Sequence, residues 1–105
     1  MASKNEVIDA IRISANYPSI RRMGLFGSYA RDEQTSDSDI DILYDYDETM
    51  IDDMLDCVEH ITDKIGRKVD FVAYYLLFRD NMDSFDIGFR DRVLREVVWI
   101  YEREN

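Results

Sequence analysis

Behind Ser3-Lys4-Asn5-Glu6, which has the form of a capping box, Val7, Ile8, Ile11 and Ala15 recur at helical spacing. The pattern predicts a helix over about residues 4–16, stopped before Pro18 because a residue preceding proline disfavours helical backbone. Arg21 to Phe26 is a short, apolar-tending run ending at Gly27, which suits a strand followed by a tight turn. Asp39 to Tyr44 alternates, with Ile40, Ile42 and Tyr44 on one side and Asp39, Asp41 and Leu43 on the other. That predicts a strand with an acidic patch on one face. Thr49 reads as an N-cap, with Asp52 three residues on. Ile51, Met54, Leu55, Val58, Ile61 and Ile65 form the apolar stripe of a second helix, and Gly66 is in place to stop it. Val69 to Ala73 reads as a third strand, Tyr74 to Met82 supports one helical turn or two, and Asp86 to Arg95 reads as a last helix. Val97-Val98-Trp99-Ile100-Tyr101 is β-rich and suits a closing strand, with a continuing helix as the alternative. Strand–helix alternation of this kind argues for an α/β or α+β fold, a small sheet with helices packed on it.

Composition narrows the class. The chain has 105 residues, 46% hydrophobic and 34% charged, which is enough for one core and argues for a single domain spanning residues 1–105. Its 23 acidic against 13 basic side chains leave a formal net charge of −10. Such a chain repels the phosphates of nucleic acid and of anionic membrane, so neither is an expected partner. A site that recruits a divalent cation could still take a small anion such as a nucleotide. Cys57 is the one cysteine, so no intrachain disulfide can form and a reducing, cytoplasmic setting is the natural reading. The N-terminus lacks a signal-peptide pattern, and no apolar run approaches the roughly 18–20 residues of a membrane span.

The candidate chemistry lies in Gly27-Ser28-Tyr29-Ala30-Arg31 and Ser38-Asp39-Ile40-Asp41-Ile42. A Gly-Ser pair just after a strand offers close backbone approach, free N–H donors and a hydroxyl, the means by which small turns hold phosphate oxygens. Asp39 and Asp41 share a strand face, with Cβ atoms roughly 6–7 Å apart at a rise of about 3.3 Å per residue. Carboxylates at that separation can ligate one hard divalent cation or bridge a pair. Without metal they repel and raise one pKa. Asp70, flanked by Val69 and Phe71 in a third strand, is costly unless it has a partner, and a metal shared with Asp39 and Asp41 would supply one.

Gly27-Ser28 followed by ten residues and Asp39-Ile40-Asp41 resembles the signature of the polymerase-β-type nucleotidyltransferases. Ala30-Arg31 and Ser38-Asp39-Ile40-Asp41-Ile42 look most like their minimal single-domain branch, often called MNT. The resemblance extends through Lys68-Val69-Asp70-Phe71 to the tail from Arg95 to Glu102, and implies a small mixed sheet in the polymerase-β-like nucleotidyltransferase fold. The chain departs from the family pattern at Asp32, where glycine usually follows Ala-Arg.

The resemblance implies two-metal nucleotidyl transfer, with ATP as substrate. Asp39 and Asp41 would hold two Mg²⁺ ions, and Asp70 would complete the site and help take the acceptor's proton. Gly27 and Ser28 would hold the β- and γ-phosphates. Arg31 and Ser38 are further nucleotide-site candidates, although Arg31 equally suits a surface ion pair. Minimal members are commonly antitoxins encoded beside a HEPN-domain ribonuclease toxin, on which they place AMP at a tyrosine. The resemblance therefore implies a type VII-like antitoxin, a HEPN toxin partner and AMP transfer to that partner. A homo- or hetero-oligomer is compatible with this reading.

Three other readings compete. Asp37, Asp39, Asp41, Asp45 and Glu48 match part of a calcium-loop register, but Ile42 stands where that loop needs glycine. A non-catalytic antitoxin could neutralise its partner by binding alone, without needing three metal carboxylates. An aminoglycoside-type small-molecule adenylyltransferase usually carries an additional helical domain. Elsewhere the bland reading is preferred. His60 reads as solvated or weakly paired, Cys57 as a partly buried filler, and Asp52, Asp53, Asp56 and Glu59 as a solvated helix face. Tyr74, Tyr75, Phe78, Phe85, Phe89 and Trp99 read as core or interface, and Arg90, Arg92 and Arg95 as a helix face.

Overall fold

The computed structural model describes residues 2–103. Helix α1 spans Lys4–Ser14, and Ser3 Oγ accepts from the Glu6 amide at 3.1 Å, as the capping pattern predicts. The helix ends two residues earlier than the expected Asn16, because the Tyr17 amide turns back to the Ala15 carbonyl. Strand β1 covers Ile20–Phe26 and runs straight into a 3-10 turn at Gly27–Tyr29. Strand β2 covers Ile40–Tyr46, helix α2 Ile51–Ile65 and strand β3 Val69–Ala73. A 3-10 turn at Tyr74–Phe78 settles the ambiguous segment. Helix α3 spans Ser84–Glu96 and strand β4 Val98–Glu102, so the closing segment is a strand and not a continued helix.

The four strands form one mixed sheet in the order β3-β2-β1-β4. β1 runs antiparallel to β2 and β4, while β2 and β3 are parallel, joined by the α2 crossover. The fold is therefore α+β, as expected. On one face, Val7 and Ile11 of α1 and Met54, Cys57 and Ile61 of α2 pack against Leu25, Ile40 and Ile42. On the other, Phe26, Leu43, Leu77 and Val93 form a second cluster, with Val72, Phe89 and Trp99 against it. Both faces of the strands are thus covered.

That second layer corrects several expectations. Leu43 is fully buried rather than part of an open acidic face, because α3 and the Tyr74–Phe78 turn cover it. Ile51 and Leu55 are about half exposed and leave the α2 stripe, whose buried line is Met54, Cys57 and Ile61. Cys57 is wholly buried, and its Sγ donates to the Ser14 carbonyl at 3.4 Å. Thr49 does not cap α2. Asp47 accepts from both the amide and the hydroxyl of Thr49 in a preceding 3-10 turn, and α2 begins after Met50. Asp53 is not simply solvated, since its Oδ2 accepts from the Ser19 amide at 2.9 Å. Gly66 ends α2 in the left-handed region at φ 79°, as the sequence pattern predicts. His60 Nδ1 lies 3.3 Å from Tyr17 Oη, a weak pairing at the surface. Of the aromatics, Tyr74, Phe89 and Trp99 pack partly buried, whereas Tyr75, Phe78 and Phe85 are exposed. Among the described residues, no helix is long and apolar enough to cross a membrane.

Candidate active site

The site is built where β1 stops. Gly27 takes φ 73°, a left-handed value that glycine adopts without steric penalty. Its carbonyl accepts from the amides of Ala30 and Arg31, which closes the turn. Tyr29 points into the core, fully buried, and its Oη donates to the Ala2 carbonyl at 2.8 Å. A buried ring holding the turn from below leaves Ser28 and the Gly27 backbone at the rim of a cavity.

That cavity measures about 490 Å³ and is lined by Phe26, Gly27, Ser28, Arg31, Asp39, Asp41, Asp70, Val72, Phe89, Arg92 and Glu96. Sheet register explains the convergence. Asp41 on β2 is the partner of Phe26 on β1 and of Asp70 on β3, and residues in register on neighbouring strands project to the same face. Asp39 sits immediately before β2, two residues from Asp41 and on the same side. Six of the seven residues singled out from sequence therefore line one cavity. The seventh, Ser38, does not. Its Oγ accepts from the Thr35 amide at 2.8 Å and its carbonyl accepts from Arg67 Nη2 at 2.6 Å, so it folds the preceding loop.

The carboxylates feel one another. Partial burial, reinforced by the charges of Asp70 and Asp39, pushes the Asp41 carboxyl up to about 6, although Arg31 and Arg92 oppose the shift. Asp70 is more open and has Lys68 Nζ at 3.7 Å. A donor set of oxygens alone suits a hard divalent cation. Among the described residues, no three acidic, histidine or cysteine side chains close around a single point.

Arg31 is an ion-pairing residue in the free chain. It reaches Glu33 at 2.8 Å and Glu96, at the end of α3, at 2.9 Å. These carboxylates hold its guanidinium firmly protonated, Glu33 most strongly. The loop behind it is pinned at Asp32, which adopts φ 61°. Left-handed backbone there accounts for the family's usual glycine, and aspartate is one of the few other residues that tolerate it. Lys4 Nζ binds Asp32 Oδ1 at 2.8 Å and so ties α1 to the loop.

Sequence reasoning missed Phe89, Arg92 and Glu96 as site residues. Their spacing on α3 could have grouped them on one face, but nothing local says that this face covers the Asp41 strand. Arg67 was likewise missed. It grips Ser38, and its Nη1 approaches Tyr29 Oη at 3.5 Å.

A family model described as polymerase beta, nucleotidyltransferase, matches residues 9–105. The chain is similar to the protein adenylyltransferase MntA of Thermococcus cleftensis, 35% identical over 82 residues, which are 77% of this chain and 75% of that protein. It is also similar to a solved structure assigned to the minimal nucleotidyltransferases, with TM-score 0.62, 25% identity, and 90% and 89% of the two chains covered. A crystal structure of a toxin–antitoxin with AMP-PNP shares the fold at TM-score 0.57 and 21% identity, over 96% of this chain and 74% of that one.

Proposed function

This chain belongs to the polymerase beta nucleotidyltransferase family, and on that premise we propose that it transfers AMP from ATP to a tyrosine hydroxyl of a partner HEPN-domain toxin. The observation that carries the reading is the convergence of the Gly27-Ser28 turn with Asp39, Asp41 and Asp70 on one cavity. The name of the archaeal relative supports a protein as acceptor, and the shared fold of the toxin–antitoxin structure supports a toxin as that protein.

In the proposed reaction the acceptor hydroxyl attacks the α-phosphorus. An O–P bond forms, the bond to the β-phosphate bridge breaks, and pyrophosphate leaves with its electron pair. Gly27 and Ser28 receive the β- and γ-phosphates through backbone N–H and hydroxyl donors. Asp70, on the strand beside Asp41, takes the proton that the hydroxyl gives up. Asp39 and Asp41 would hold Mg²⁺, two ions in the full site. When bound, this metal supplies charge neutralisation at the phosphate oxygens and sharpens the acceptor as nucleophile. Positioning and electrostatics carry such a transfer, so every carboxylate counts.

Intact-mass spectrometry of the protein encoded beside this chain tests the reading, after incubation with this chain, ATP and Mg²⁺. The expected result is a gain of one or more AMP units with wild type and none with Asp39→Asn. Neutralisation of the partner by both forms, with no mass gain, would replace transfer by simple occlusion.

A further inference from the structure

Two guanidinium groups line the cavity, and they are not equivalent. Arg31 gives Nε to Glu33 and Nη1 to Glu96, so two carboxylates already balance its charge before a phosphate arrives. Arg92 is exposed and, among the described residues, has neither an ion pair nor a hydrogen bond. Its guanidinium carbon stands 5.6 Å from the ring centroid of Phe89, one turn earlier on α3. Phe89 in turn packs edge-on to Phe26, the last residue of β1, at 6.3 Å between centroids. The Gly27 turn and the base of Arg92 are therefore tied through two touching rings.

We propose that Arg92 is the side chain that grips the phosphate chain of the nucleotide, while Arg31 remains the ion-paired clasp between the turn and the end of α3. The proposal rests on the nucleotidyl-transfer reading and names a residue for it. The cavity lining holds four carboxylates, Asp39, Asp41, Asp70 and Glu96, against two guanidiniums. A polyanion entering such a field is drawn to the cation not already paired with carboxylates, and Arg92 offers its N–H groups in a planar fork matched to phosphate oxygens. The Phe89 ring supports the guanidinium without neutralising it.

Calorimetric titration of wild type, Arg92→Ala, Arg92→Lys and Arg31→Ala with ATP and with AMP, in Mg²⁺, tests this. Thermal unfolding of each variant checks that the fold is kept, which is expected because Arg92 is exposed on a helix where alanine is favourable. Arg92→Ala should weaken ATP about tenfold or more and AMP much less. Arg92→Lys should recover part of the loss, and Arg31→Ala should cost less than Arg92→Ala. Wild-type ATP affinity in Arg92→Ala, or a larger loss in Arg31→Ala, would overturn the assignment while leaving the transfer reading standing. A wild-type chain that binds no ATP would overturn both.

Discussion

The backbone of Gly27 lies against the carboxylate of Asp41: a Cβ at Gly27 would collide with Asp41 Oδ2 and stand 3.2 Å from its Cγ. The missing side chain thus does two jobs, permitting the left-handed turn and leaving room for an acidic group beside it. Gly66 has a similar φ of 79°, but a Cβ there would meet nothing within 4 Å.

The two glycines should therefore separate strain from displacement. Gly66→Ala is expected to cost about 1–2 kcal/mol of stability and leave transfer intact. Gly27→Ala should carry the same strain and also move Asp41, lowering the transfer rate by orders of magnitude. Unfolding curves and initial rates on the same preparations check both halves.

Asp39→Asn and Asp41→Asn should each abolish transfer while the fold persists. In the absence of metal, Asp41→Asn should unfold at an equal or slightly higher temperature than wild type, because it removes a partly buried charge repelled by Asp70 and Asp39. Full activity in either variant would show that these carboxylates do not form the metal site. Melting curves with and without Mg²⁺ complete the test.

The raised Asp41 carboxyl fixes the sign of a pH effect. Its folded-state pKa of about 6 lies above the ordinary carboxylate value of 3.8, so the native state holds this proton more tightly than the unfolded chain does. The contribution of Asp41 to metal-free stability is therefore fully present below about pH 4 and lost as pH rises through about 6. Urea unfolding in a chelator from pH 4 to 7 should show this slope in wild type and a flatter one in Asp41→Asn.

Asp32 should tolerate glycine and resist β-branched residues. Asp32→Gly relieves left-handed backbone but gives up the Lys4 pair, an exposed contact of at most about 1 kcal/mol, so stability should change little. Asp32→Val keeps neither advantage and should destabilise by about 1–3 kcal/mol. Thermal unfolding of the two variants decides the matter.

Cys57 should be inert in the native chain. Burial, with Asp53 nearby, pushes its thiol up to about 12, so almost no thiolate is present at pH 8. Alkylation by iodoacetamide should follow the unfolding rate, speeding sharply in denaturant.

Much of this arrangement was legible before the structure. Local patterns located α1, the first three strands and the Gly66 stop, because caps, alternation and turn residues act over a few positions, while the closing segment stayed open between strand and helix. The Gly-Ser and Asp-x-Asp pairs could be placed together through their spacing and the resemblance it carries, and the antiparallel pairing of β1 with β2 is what joins them in space. What could not be read was the contribution of α3. Phe89, Arg92 and Glu96 enter the cavity only because the chain returns over the second sheet face, and Leu43 is buried for the same reason. Ser38 sat beside the right motif but spends its polar groups on Thr35 and Arg67. Adjacency in sequence does not decide which atoms face a cavity and which fold a loop.

Strand β1 lies between β2, which follows it closely, and β4, which comes from the far side of α3. During synthesis its β2 side can pair early, while its other row of amides and carbonyls waits for residues 98–102 to leave the ribosome. That interval is a window of aggregation risk, because an open edge next to Leu25 and Phe26 is a template for strands of other chains. Such non-local pairing also slows folding. The Gly27 turn at the end of β1 thus gains the support of a strand paired on both sides only after β4 has docked.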